Sequence, residues 1–263
     1  MSFQDLPEDW QFNILSLTSP ADAARLSVVS KAFRTAADSD AVWNRFLPSD
    51  LSSIIPLSSF ASLSKKSLYV TLSDHPVIIQ NSTKSFQLEK WTGNKIYMLS
   101  ARDIEIIWVN EPHYWEWITL PQSRFEEVAR LRAVCWFHLS GLINPRDLSP
   151  NIRYAAFLVF QLDDARGFGY DPMVLSVGIF RGPRTLKNVC LDPSLEDHQI
   201  DHRFLGLQRP YERTDGWLEI EMGEFLNSGL EGDIMQMEAS ETTSTWWKHG
   251  FILEGIEVRP KYV

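Results

Sequence analysis

An α+β chain in two modules is the fold the sequence predicts: a small three-helix domain over residues 1–48, then an antiparallel, jelly-roll-like β-sandwich over residues 84–263. Three observations lead there. Apolar residues recur with a helical period up to about residue 47 and with a period near two beyond residue 84. Residues 49–83 between them are serine-rich and interrupted by Pro56 and Pro76, the texture of a linker. After residue 84, about ten short runs rich in β-branched and aromatic residues follow one another with no regular helical interleaving, which favours antiparallel pairing over βαβ units.

The helices are announced by their start signals. Leu6-Pro7-Glu8-Asp9 places proline in a first turn and two acids at the positive helix end. Trp10, Ile14 and Leu17 follow at i, i+4 and i+7, one apolar stripe. Ser19-Pro20-Ala21-Asp22 has the spacing of a capping box, and Leu26, Val29 and Phe33 continue at i, i+3 and i+7. Asp38-Ser39-Asp40 opens a third helix that carries Val42, Trp43 and Phe46. Helices this short bury little surface alone, so their surplus of large apolar residues fits a helical partner. A short helix near 64–72 is the one regular element expected inside the linker.

The strand-like runs are 85–90, 94–100, 104–109, 115–120, 134–142, 155–162, 174–180, 216–222, 234–239 and 250–259. Around residue 217, Leu218, Ile220 and Met222 alternate with Trp217, Glu219 and Glu221, which predicts one buried and one solvated face. Trp136 and Trp217 are expected in the core.

Composition narrows the function. Twenty-five basic against 34 acidic residues give a net charge of −9, and an acidic surface disfavours general nucleic-acid binding. The 2 cysteines cannot build a disulfide framework or a zinc site by themselves. No signal peptide and no membrane-length apolar run is evident, so a chain of a reducing compartment, cytoplasmic and nuclear, is expected. His198 and His202 stand at i, i+4 without a supporting acid pattern, and neither a metal nor a cofactor is expected. No nucleophile elbow, phosphate loop or dinucleotide fingerprint appears, so no catalytic residue is assigned and the chain is read as a non-enzyme. The enrichment that remains is in tryptophan, 10 in all, which means a large core, a binding surface, or both.

Residues 4–48 resemble an F-box through Leu6-Pro7-Glu8-Asp9, Ile14-Leu15, Asp22 with Leu26, Val28-Val29-Ser30-Lys31, and Asp40-x-x-Trp43. The resemblance implies docking on the Skp-type adaptor of a cullin-based SCF ubiquitin ligase. Leu6, Pro7, Ile14, Leu15, Leu26, Val29 and Trp43 are the candidate docking residues. Packing of a small helical bundle is the alternative use for them.

Residues 84–262 resemble the phloem-protein-two, or Nictaba-like, lectins. The resemblance is carried by Thr92-Gly93-Asn94-Lys95, Ser100-Ala101-Arg102, Ile107-Trp108, Tyr114-Trp115-x-Trp117, Asp215-Gly216-Trp217-Leu218-Glu219, Gly223-Glu224-Phe225 and Arg259-Pro260. It implies a β-sandwich that binds N-acetylglucosamine oligomers or N-glycans, with the sugar-site positions falling on Trp108, Trp115, Glu224 and Glu231. Indole faces pack on the C–H face of a pyranose, and carboxylates accept from paired hydroxyls. Together the two modules imply a ligase subunit that recognises a glycoprotein or other protein target. A stand-alone cytosolic or nuclear lectin, and a protein-binding sandwich that has lost sugar, are the alternatives.

Overall fold

A computed structural model describes residues 7–193, 202–229 and 234–262, with the side chains of Glu8 and Asp9 left aside. Within it the chain divides into two units: 1–79 with 85–96, and 80–84 with 97–263.

The first unit is helical. Its helices are α1 (Glu8–Ser16), α2 (Pro20–Leu26), α3 (Lys31–Ala37), α4 (Asp40–Phe46), α5 (Leu51–Ile54) and α6 (Lys65–Asp74), followed by the short strands β1 (Val77–Ile79) and β2 (Lys84–Leu88). Serine caps set the starts. Ser19 accepts from the Asp22 amide at 3.1 Å, Ser30 from Phe33 at 3.2 Å and Ser64 from Ser67 at 3.1 Å. The cap at Ser30 splits the second predicted helix in two, broken at 27–30, and α5 is a further helix inside the stretch expected to be a linker.

The predicted linker is not a spacer. Leu51, Ile55, Leu68, Tyr69 and Leu72 are buried, and Tyr69 packs its ring 5.1 Å from that of Trp43. The Tyr69 hydroxyl lies 3.1 Å and 3.2 Å from the carbonyls of Glu89 and Lys90, and Lys95 pairs with Asp50 at 2.7 Å. The unit boundary expected at residue 84 is thereby corrected: 49–79 and 85–96 complete the helical core. A four-helix cluster of this size needs the added surface.

The second unit is an antiparallel sandwich. Its strands are β3 (Lys95–Ser100), β4 (Glu105–Ile106), β5 (Trp115–Ile118), β6 (Val128–Leu131), β7 (Phe137–Ile143), β8 (Ile152–Arg166), β9 (Met173–Ile179), β10 (Arg184–Val189), β11 (Tyr211–Glu212), β12 (Leu218–Asn227), β13 (Met235–Glu241) and β14 (His249–Pro260). One sheet runs β3-β14-β8-β12-β11, with β6 pairing both β14 and β5; the other runs β10-β9-β13-β7-β4. The layers meet closely. A methyl placed on Gly141 would come within 3.0 Å of Ile256 and 3.1 Å of Leu99 across the interface. Phe137 packs edge-on to Phe251 at 5.1 Å between ring centres.

The first sheet is covered on its outer side as well, which overturns the expected wet face of β12. Trp217, Met98, Val159 and Ile252 form a cluster roofed by Phe125 and Val128, and the Trp217 indole donates to the Gln122 carbonyl at 3.3 Å. Glu219 is buried, not solvated. It accepts from Arg213 at 2.6 Å and Arg259 at 2.9 Å, beside a buried Glu257 that accepts from Arg259 at 2.6 Å. Burial opposes ionisation of both carboxyls, yet these guanidinium groups hold them below the usual range.

Candidate docking and sugar-binding surfaces

In the helical unit the candidate docking residues sort by exposure. Pro7, Ile14 and Val29 are open to solvent, Val29 at 66 %, and Leu26 is half-buried. Leu15 and Trp43 are core residues, which corrects their assignment to the docking face. Trp43 is 2 % exposed and its indole donates to the Ala37 carbonyl at 2.6 Å. Leu6 lies outside the described residues. The structure adds Trp10, Leu17 (87 % exposed) and Val28 to the uncovered apolar set. The signal for Trp10 and Leu17 was present in the i, i+4, i+7 stripe, which points outward where a core stripe would point in. An apolar cavity of about 400 Å³, lined by Ala24, Val28, Trp43, Tyr69, Val70 and Trp91 among others, opens in the same unit.

In the sandwich, strand register collects four loops at one end. Phe137, the first residue of β7, pairs with Glu241, the last of β13. His249 opens β14 opposite Arg166, which closes β8, and Val174 near the start of β9 pairs with Ser240. β4 runs antiparallel to β7, so the chain leaving it heads to the same end. The loops 107–114, 132–136, 167–172 and 242–248 therefore share one rim.

That rim is aromatic. Trp108 and Trp136 are both exposed and stack with ring centres 6.2 Å apart and planes 14° apart, and Tyr114 packs on Trp108 at 5.3 Å. Trp108 adopts a left-handed backbone, φ 58°, a conformation that costs a bulky residue on the order of 1–2 kcal/mol. The turn is fastened twice: the Trp108 carbonyl accepts from Glu111 at 2.9 Å, and the Trp115 indole donates to the Ile107 carbonyl at 3.1 Å.

Trp115 is thus a peg, not a platform. It is 2 % exposed and packs on Phe137, so no ring face is open to a sugar, and its expected role is corrected on that ground. Trp136 is corrected in the other direction, from core to surface, because β7 starts one residue after it.

The rim loops are tied from below by a buried ion pair. Lys248 is 1 % exposed and bonds the Glu241 carboxylate, the Cys135 carbonyl at 2.8 Å and the Trp246 carbonyl at 3.2 Å. Glu241 also accepts from Thr243 and Ser244 amides at 2.9 Å and 2.8 Å. Burial works against its charge, but the bonds from Lys248 and Ser244 hold the Glu241 carboxyl down to about 2.

Glu224 does not join this rim. It sits opposite Ala155, about 35 Å of strand from the rim end of β8 at ~3.3 Å per residue. There it pairs with Lys261 at 2.6 Å and Arg153 at 3.5 Å, and the Lys261 bond lowers its pKa. Glu231 and His198 lie outside the described residues.

A helical unit with outward apolar residues, carried on the same chain as an antiparallel sandwich with an aromatic rim, defines a two-module binding protein. Comparison with known proteins gives the family. The phloem protein 2 family model matches residues 94–260, and an F-box-like model matches residues 3–49. F-box protein PP2-B10 of Arabidopsis thaliana is 41% identical over 261 residues, 98% of this chain and 94% of that one. F-box protein PP2-B1 of the same organism is 37% identical over 303 residues, 98% and 90%. The chain belongs to the F-box-bearing phloem protein 2 family. Among solved structures, a family 35 carbohydrate binding module from Clostridium thermocellum aligns at a TM-score of 0.35 with 14% identity, over 62% of this chain and 96% of that one. Nothing about this chain follows from a likeness of that degree.

Proposed function

We propose that the protein is the target-recognition subunit of an SCF-type ubiquitin ligase, with no bond chemistry of its own. In this reading the helical unit docks a Skp-type adaptor and, through it, a cullin. The sandwich binds the glycan of a glycoprotein target in the cytoplasm or nucleus. Membership of the F-box-bearing family supports the first half. The observation that carries it is the uncovered apolar set of Trp10, Ile14, Leu17, Val28 and Val29, a surplus that a partner surface would cover. For the sandwich, the supporting feature is the exposed Trp108–Trp136 stack on its strained, doubly fastened turn. Among the described residues, no helix is long and apolar enough to cross a membrane.

The double variant Ile14→Asp with Val29→Asp tests the docking half. Both side chains are exposed, so the fold should persist, while desolvated anchors at an interface each cost about 2 kcal/mol or more when lost. Co-purification with a purified Skp-type adaptor is expected to disappear. Undiminished adaptor capture by the double variant would remove the ligase reading.

A second reading, a sandwich that recognises protein instead of sugar, draws on the placement of Glu224. Its carboxylate is ion-paired and remote from the Trp108 rim, so the acid–indole pair implied by the resemblance is not assembled around Trp108.

A further inference from the structure

The rim carries a second aromatic pair that the Trp108–Trp136 platform does not use. Tyr170, from the loop between β8 and β9, and Trp246, from the loop between β13 and β14, stack with ring centres 4.6 Å apart and planes 22° apart. Both remain about half exposed. Their loops are anchored beneath. Two residues before Tyr170, the buried Phe168 packs edge-on to Phe137 at 5.7 Å and against Phe251 at 5.6 Å. Lys248 holds the Trp246 carbonyl and, with the same ammonium, the Cys135 carbonyl beside Trp136. One buried cation thus ties the loop of the first pair to the loop of the second.

Spacing follows from the sheet. β7, β13 and β9 lie side by side, and Trp136 leads into β7 while Tyr170 leads into β9. Two strand spacings separate the loops, on the order of 10 Å. Resting on the sugar-binding reading above, we propose that Tyr170 and Trp246 form a second sugar subsite, so that the rim takes an oligosaccharide chain and not only one terminal sugar. A peptide partner would dock along a free strand edge or in a continuous groove. Here the rings stand as two separate pairs on loops at the strand ends. That arrangement suits a chain of pyranoses whose successive units each present a C–H face to an aromatic ring.

The test is calorimetric titration of the full chain with the N-acetylglucosamine dimer and pentamer. The wild type is expected to bind the pentamer about tenfold more tightly than the dimer, the equivalent of one added stacking contact. Trp246→Ala and Tyr170→Ala are expected to bind the dimer as before and to lose the advantage of the pentamer, with Trp246→Phe restoring part of it. Trp108→Ala is expected to lose both ligands. A length preference that survives in Trp246→Ala and Tyr170→Ala overturns the second subsite and leaves the first intact, as does a wild type indifferent to length. A wild type that binds neither oligomer overturns both.

Discussion

Replacing Lys248 by methionine is expected to lower the unfolding free energy by on the order of 3–5 kcal/mol, because it leaves the Glu241 carboxylate buried and unpaired. The effect has a pH signature with a defined sign. In the folded protein the Glu241 carboxyl is held at about 2, below its ordinary 4.5. A depressed carboxyl contributes stability that is complete above about 4.5 and is lost as the pH falls toward 2. The gap between wild type and Lys248→Met should therefore be widest near neutral pH and narrow at pH 3. Urea unfolding at the two pH values measures it. Equal stability of the two proteins at pH 7 would show that the pair does not brace the rim.

Trp115→Ala carries the second large effect. Truncating a fully packed tryptophan costs about 3–5 kcal/mol, and here it also removes the donor that fixes the Ile107 carbonyl beneath Trp108. A large drop in melting temperature is expected. Trp115→Phe, which keeps part of the bulk but forfeits the hydrogen bond and leaves a small cavity, should cost less, on the order of 2 kcal/mol. An unchanged melting temperature in Trp115→Ala, with glycan binding lost, would restore Trp115 to the binding surface.

The two tryptophans show why the sequence carried the architecture further than the site. Trp115 and Trp117 share one face of β5, and a period of two cannot tell how far along the strand that face is covered. Trp115 turns inward onto Phe137, while Trp117 lies under the Arg102 guanidinium at 3.5 Å. For β12 the alternation is real, but both faces are covered. The segment 118–128 roofs the outer face, so Trp217 and Glu219 are buried there, the acid by virtue of Arg213 six residues before it and Arg259 forty residues beyond. Trp136 was lost to an offset at a strand end, since its run of apolar neighbours reads as strand throughout.

Elsewhere the missing information was long-range contact. Tyr170 and Trp246 meet from loops far apart in the chain, and nothing local to either marks a pair. The helix expected near 64–72 is α6, but the serine-rich texture around it concealed that Leu68, Tyr69 and Leu72 pack into a core. Conversely, the cap at Ser19, the stripe of Trp10, Ile14 and Leu17, and the succession of strands were legible. Each depends on neighbours within one or two turns of chain.

In the proposed function one chain joins a ligase adaptor to a glycan. It is tested by passing the full chain, loaded with a purified Skp-type adaptor, over an immobilised N-acetylglucosamine oligomer. Retention of the adaptor is expected only when the chain is present. Trp108→Ala should let both proteins through, and the Ile14→Asp, Val29→Asp variant should be retained without the adaptor. A wild-type complex that flows through unretained, or a Trp108→Ala complex held as firmly as the wild type, would rule out that bridging role.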